Sequence, residues 1–146
     1  MVEPRFSISS SASMPRHLNQ LREWFELEWG HVDPFDGNHS GFVVPAPLVA
    51  IDDRKQLVGG LAFSSFSRPG SDGIAIWVNA LLVAPEHRGL GIASQLVQAA
   101  ELEASRMNAN ELFVLTDVSN LYQKLGWRTV ETSGRDVVLT KAPLSD

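Results

Sequence analysis

The apolar positions of this chain change their period several times, and each change marks an element. Phe6 to Ser11 alternates weakly, as a half-covered strand would, and Ser13 and Pro15 then signal a helix start. Leu18, Leu21, Phe25 and Trp29 follow at helical spacing on one face, Trp24 widens that face, and Gly30 supplies the stop. From Gly30 to Pro47 the pattern breaks. His31, Asp33, Pro34, Asp36, Gly37, Asn38 and His39 are turn formers and polar residues, which predicts a long loop. Leu48 to Ile51 and Leu57 to Phe63 flank the polar stretch Asp52 to Gln56 and predict an antiparallel hairpin, ended by a turn over Arg68 to Gly73.

Ile74 to Val83 is nearly all apolar, as a central strand covered on both faces would be, and it feeds a glycine-rich turn directly. Beyond that turn Ile92, Ala93, Leu96, Val97, Ala100, Ala104 and Met107 make a helical stripe, with Gln95, Gln98, Glu101 and Ser105 directed away from it. Glu111 to Asp117 is a second short apolar strand. Strand, helix and strand therefore form one crossover unit with two parallel strands, and a ligand site belongs at their C-terminal ends. Val118 to Leu125 reads as a short helix closed by Gly126, and Trp127 to Thr132 pairs with Asp136 to Thr140 about Ser133-Gly-Arg135. Trp24, Trp29, Trp77 and Trp127 sit in apolar patterns and are assigned to the core, with Trp29 and Trp77 as candidate pocket walls.

With 146 residues, 44% of them hydrophobic, the chain has the size of one domain over residues 1–146 with one core. Its formal net charge of −5 gives no general attraction to nucleic acid or to an anionic membrane. The absence of cysteine excludes disulfides, thiolate metal sites and an acyl-cysteine intermediate. No run approaches the ~20 apolar residues of a membrane span, and Met1 to Phe6 lacks the apolar stretch of a signal peptide, so the expected compartment is the cytoplasm. His31, Asp33, Asp36 and His39 have ligand chemistry, but their spacing fits no zinc or calcium pattern, and no metal is expected.

The candidate chemistry lies in the turn Val83-Ala-Pro-Glu-His-Arg-Gly-Leu-Gly-Ile-Ala-Ser94. A helix start leaves backbone N–H groups without partners and carries roughly half a positive charge, so a diphosphate fits there if glycines let the backbone approach. Gly89 to Ser94 is also a partial dinucleotide fingerprint. A dinucleotide fold would, however, open with that fingerprint, carry a third small residue at the Ser94 position and repeat its βα units, and only one crossover is visible here.

Together with Leu121-Tyr-Gln-Lys-Leu-Gly-Trp127, the turn resembles the GCN5-related N-acetyltransferases (GNAT). Arg88, Gly91 and Ala93 match that family's Arg/Gln-x-x-Gly-x-Gly/Ala signature; Tyr122, Lys124, Gly126 and Trp127 match its Tyr-x-Lys-x-Gly-Phe/Trp pattern. The resemblance implies a mixed, splayed α/β sheet of about six or seven strands flanked by about three helices. It implies that acetyl-coenzyme A is the cosubstrate. N–H groups of Arg88, Gly89, Leu90, Gly91, Ile92, Ala93 and Ser94 would hold its pyrophosphate, and those of Leu82 and Val83 its pantetheine arm and acetyl carbonyl. Tyr122 would be the acid that protonates the departing thiolate: a phenol with pKa ~10 keeps its proton at neutral pH and suits a thiol with pKa ~8.5. No metal takes part.

The chain departs from the family at two places. Leu115 and Thr116 stand where many relatives have an asparagine that contacts the cofactor, and Asn79 where a number have a glutamate that takes the amine proton. An amide cannot accept that proton at useful pH. Glu28, Asp33, Asp36, Asp117 or a water on Asn79 remain for the task. The expected activity is acetyl transfer to a primary amine, on a small molecule or a peptide, by direct attack in a ternary complex, in a monomer or homodimer. The reading of another class is a regulatory domain that binds acyl-coenzyme A without turning it over.

Overall fold

The computed structural model describes residues 6–30 and 43–142. The loop residues His31, Asp33, Asp36 and His39 lie outside that range. Seven strands form one sheet in the order β1-β2-β3-β4-β5-β7-β6: β1 Phe6–Ser10, β2 Leu48–Asp52, β3 Leu57–Ser67, β4 Ile74–Val83, β5 Leu112–Thr116, β6 Arg128–Ser133 and β7 Asp136–Lys141. Three α-helices accompany it: α1 Pro15–Trp29, α2 Ile92–Arg106 and α3 Ser119–Lys124. Every pairing is antiparallel except β4 with β5, the one crossover that the sequence predicts.

Local chemistry places the boundaries. Asp52 Oδ1 accepts from the N–H groups of Arg54 and Gln56, both at 2.9 Å, and so closes the β2–β3 hairpin as an Asx turn. β3 runs four residues past the predicted Phe63, because β4 pairs with it as far as Ser67↔Ile74. Pro15 opens α1 at a position where its missing N–H costs nothing. Ser11–Ser13 and Pro85–His87 form short 3-10 turns that apolar periodicity does not reveal.

The helices cover opposite faces of the sheet. On one face α1 sets Leu21 and Phe25 against Val49, Ile51, Leu57 and Ala62. Leu21 reaches the sheet because Gly60 has no side chain: a Cβ there would stand 2.4 Å from Leu21 Cδ1. On the other face Ile92, Leu96, Val97, Ala100 and Ala104 of α2 pack with Leu48, Ala50, Val58, Leu61, Ile76 and Val78, and Tyr122 and Trp127 join that cluster. Glu101 departs from the predicted pattern. It is 0% exposed rather than directed to solvent, for a reason that involves β7 and is given below. Met107, placed in the apolar stripe, is exposed because α2 ends at Arg106.

One irregularity in β4 shapes the rest. Ala80 pairs with Ala62 and Val78 with Phe63, so Asn79 is an inserted residue where the register with β3 shifts. Such a bulge bends its strand and shifts the side-chain alternation by one. Accordingly Ile76 and Val78, then Leu81 and Val83, share the α2 face, while Ala80 and Leu82 lie against the α1 cluster. β4 and β5 are paired only through Ile76↔Leu112, Trp77↔Phe113 and Val78↔Val114. Past that point β5 stays with β7 as far as Thr116↔Val137, and β4 stays with β3 as far as Val83↔Gly59. The sheet therefore opens between β4 and β5 at their C-terminal ends.

Candidate active site

The opening is a cleft in two parts that share Trp29, Leu81, Asp117 and Val118 as walls. The inner part, about 330 Å³, is lined by Val78, Asn79, Val114, Thr116 and Tyr122 among others. The outer part, about 580 Å³, is lined by Leu82, Val83, Arg88, Gly89, Gly91, Ile92, Ala93 and Ser94. Of the residues predicted to hold the cosubstrate, only Leu90 is not in this wall; it is exposed. A larger cavity of about 660 Å³ lies near the opposite ends of β4 and β5, but Arg68 and Glu111 in its wall are engaged with each other.

The outer part has the chemistry of an anion site. Gly89 and Gly91 have φ +84° and +85°, and at neither would a Cβ meet any atom within 4 Å. Glycine is therefore required there by backbone conformation rather than by space. Gly91 is the N-cap of α2 and offers no capping side chain, and the first turn has no acidic residue. The first helical bond is Gln95 N–H to Gly91 O at 3.1 Å, so among the described residues the N–H groups of Ile92, Ala93 and Ser94 have no acceptor. Arg88 Nε donates to Val83 O at 3.2 Å, which ties the turn to the end of β4. His87 is half-buried in the same wall, its Nδ1 3.9 Å from Glu86 Oε1.

Tyr122 occupies the inner part. It is 2% exposed, and its ring meets that of Trp127 edge-on at 5.1 Å and 69°. No described residue hydrogen-bonds its hydroxyl. Burial pushes the phenol pKa well above its ordinary value, because the anion would lose its hydration. The group is thus a fixed, protonated donor facing a cavity. Trp29, Asn79, Asp117 and Asp136 line the same cavity. Trp29 is 44% exposed and belongs to the cleft wall rather than the core, as does Glu28 in the outer part. Trp77 stays in the sheet, stacked on Phe113 at 5.2 Å, and lines neither part. Among the described residues no cluster of histidine and carboxylate side chains could hold a metal ion.

Sequence reasoning did not find the bulge, although its signal was present: Asn79 is the lone polar residue in Ile74–Val83. It also did not find Leu81, whose apolar side chain resembles its neighbours and whose place in both walls depends on the shift that the bulge introduces.

The chain is thus an α/β domain whose one parallel pair is splayed, with an uncapped helix start at the open end of the cleft. Residues 44–129 match the family described as the acetyltransferase (GNAT) domain, and the chain belongs to that family. Solved structures have the same fold. The chain is similar to Arabidopsis thaliana Naa50 in complex with the bisubstrate analogue CoA-Ac-MVNAL, at 19% identity and TM-score 0.64, covering 94% of this chain and 98% of that one. It is similar to an acetyltransferase of the GNAT family from Staphylococcus aureus, at 12% identity and TM-score 0.64 over 96% and 100% of the two chains. A chain of the NatC complex bound to Gag peptide and CoA matches at 16% identity and TM-score 0.60 over 99% and 100%. None of the curated proteins compared with the chain matches it. Among the described residues no helix is long and apolar enough to cross a membrane.

Proposed function

We propose that the protein transfers an acetyl group from acetyl-CoA to a primary amine by direct attack within a ternary complex. This reading rests on one cleft that runs from the three unpartnered N–H groups at the start of α2 to the buried hydroxyl of Tyr122. The pyrophosphate takes the outer part, held by the backbone of Arg88 to Ser94. The arm takes the edge of β4 that β5 has left. Along extended backbone successive N–H groups point to opposite edges. Ala84 N–H reaches Val58 O on β3 at 2.9 Å, so the N–H of Leu82 is directed to β3 and those of Leu81 and Val83 to the cleft. Leu81 and Val83 are then the donors to the arm and the acetyl carbonyl, where they stabilise the oxyanion.

The acceptor ammonium first loses a proton; the free amine attacks the thioester carbon, the C–S bond breaks, and the sulfur ends as a thiol. Asp117 lines both parts of the cleft and takes the amine proton directly or through water, in place of the carboxylate that Asn79 lacks. Tyr122 donates to the sulfur. Even at the ordinary phenol value of ~10, full transfer to a thiolate of ~8.5 is uphill by about 2 kcal/mol, and burial makes it more so. The hydroxyl therefore acts mainly as a hydrogen-bond donor to charge building on sulfur; nitrogen gives up two protons in all, the first from the ammonium to Asp117 and on to solvent, the second as the amide forms, and this second proton ends on sulfur as the thiol.

With Asp117 and Asp136 in its wall the inner part favours a cationic acceptor. Peptide and small-molecule amines both fit this chemistry: the similar chains include NatC bound to Gag peptide, and a 21% identical match at TM-score 0.54 is nourseothricin acetyltransferase. The test is release of free thiol from acetyl-CoA with a panel of polyamines, amino acids, aminoglycosides and peptides. Tyr122→Phe is expected to lower kcat ~10²-fold with CoA affinity unchanged. Thermal stabilisation by acetyl-CoA with no amine-dependent release would replace this reading with that of an acyl-CoA sensor, which the amide at Asn79 favours.

A further inference from the structure

Glu101 is 0% exposed on α2, and the cleft does not use it. Its Oε1 lies 2.9 Å from Lys141 Nζ on β7, and its Oε2 accepts from Trp127 Nε1 at 3.3 Å. Lys141 Nζ also donates to Leu125 O at 2.6 Å, the residue that closes α3. Trp127 is the residue whose ring Tyr122 rests against, and its backbone N–H donates to the backbone carbonyl of Tyr122 at 3.0 Å. The C-terminal end of the short helix that carries Tyr122 is thus tied, through one carboxylate, to the helix whose first turn lines the outer part of the cleft.

A six-residue helix is too short to hold a side chain by its own hydrogen bonds. Burying a carboxylate is costly, and apolar residues of similar volume often serve stability as well or better. A purely structural role therefore does not explain the pair, whereas a role in placing one ring does. We infer that Glu101, with Lys141, is a positioning residue for the Tyr122 hydroxyl. It acts through Trp127 and the end of α3, and it fixes how far that hydroxyl stands from the phosphate-binding start of α2. The inference rests on the proposed acetyl transfer only for its kinetic part.

The test exchanges the pair together, Glu101→Leu with Lys141→Met, because removing the lysine alone leaves an uncompensated buried charge. Glu101→Gln is the conservative variant: its amide oxygen can still serve Trp127 or Lys141, and the ammonium left without a counter-charge is 25% exposed and keeps its bond to Leu125 O. The expected result for the double variant is a folded protein with acetyl-CoA affinity within about twofold of the parent and kcat lower by about tenfold or more, since small misplacements of a reacting group have effects of this size. Glu101→Gln alone should keep most of the parent kcat, and on a Tyr122→Phe background the double exchange should change kcat less than twofold. A second readout needs no activity. Tyr122 is the only tyrosine in the chain, so a ¹³C-tyrosine sample gives one set of ring signals. These should shift and broaden in the double variant and stay as in the parent in Glu101→Gln. An unchanged kcat, an equal loss on the Tyr122→Phe background, or an unmoved ring signal in a folded double variant would each overturn the inference. If the parent acetylates no amine, the proposed function fails by itself and the ring signal still decides the positioning.

Discussion

Replacing Gly91 by alanine tests whether the start of α2 binds phosphate through its backbone shape. Gly91 has φ +85° and ψ 7°, and nothing lies within 4 Å of the Cβ that alanine would add. The perturbation is therefore conformational and not steric. Holding an L-residue in this left-handed region costs about 1–2 kcal/mol, partly offset by the lower entropy of the unfolded alanine chain. A net loss of about 1 kcal/mol corresponds to a fall in Tm of about 2–4 °C for a domain of this size. If the turn instead relaxes toward negative φ, the N–H groups of Ile92, Ala93 and Ser94 are re-aimed. Losing one hydrogen bond to a charged oxygen costs about 1.5–3 kcal/mol, which is a CoA affinity about 10- to 100-fold weaker. Calorimetric titration with CoA and with pantetheine separates the two parts of the cleft. Gly91→Ala should weaken CoA and leave pantetheine unchanged, and Gly91→Asn should fall between the parent and alanine, because asparagine tolerates this region better. CoA binding by Gly91→Ala within twofold of the parent, or equal losses for alanine and asparagine, would refute the reasoning.

Gly60→Ala should destabilise the domain by about 1–3 kcal/mol in urea unfolding, because its Cβ would lie 2.4 Å from Leu21 Cδ1 in a fully buried contact. Adding Leu21→Ala should not deepen that loss by the full cost of the leucine. Tyr122 makes stability depend on alkaline pH. Its folded pKa is raised, so the unfolded chain ionises first; the stability from keeping the phenol neutral is intact below pH ~10 and falls as the pH climbs beyond it. Urea midpoints at pH 9 and 11 should therefore fall further for the parent than for Tyr122→Phe. Asp117→Asn should lower kcat at neutral pH by about tenfold or more, with partial recovery at higher pH as more of the amine is free, while CoA affinity measured calorimetrically stays the same.

The periods of the apolar residues were enough to place the strands and helices, because each element buries a face whose spacing is fixed by local geometry. Gly89, Gly91 and Tyr122 could be read for a similar reason: positive φ and a lone phenol in a helical turn are properties of single residues and their neighbours. Where several elements meet, the reading failed. Glu101 has the spacing of a solvent-facing residue, and only the arrival of Lys141 from β7 and Trp127 from the end of α3 makes its burial tolerable. Trp77, a candidate pocket wall beside Trp29, lines neither part of the cleft, because its ring stacks on Phe113 where β4 and β5 are still paired, whereas Trp29 is a wall of both parts.

By itself, then, the sequence determined the order of elements, the single parallel crossover, the glycine turn that opens α2 and the residues that carry the family's signature. Tertiary structure decided that β4 bulges at Asn79 and separates from β5, which N–H groups of β4 are left without a strand, and how Tyr122 is held. These follow from pairing between segments distant in the chain. Register and desolvation are properties of pairs of segments, and no spacing within one segment encodes them.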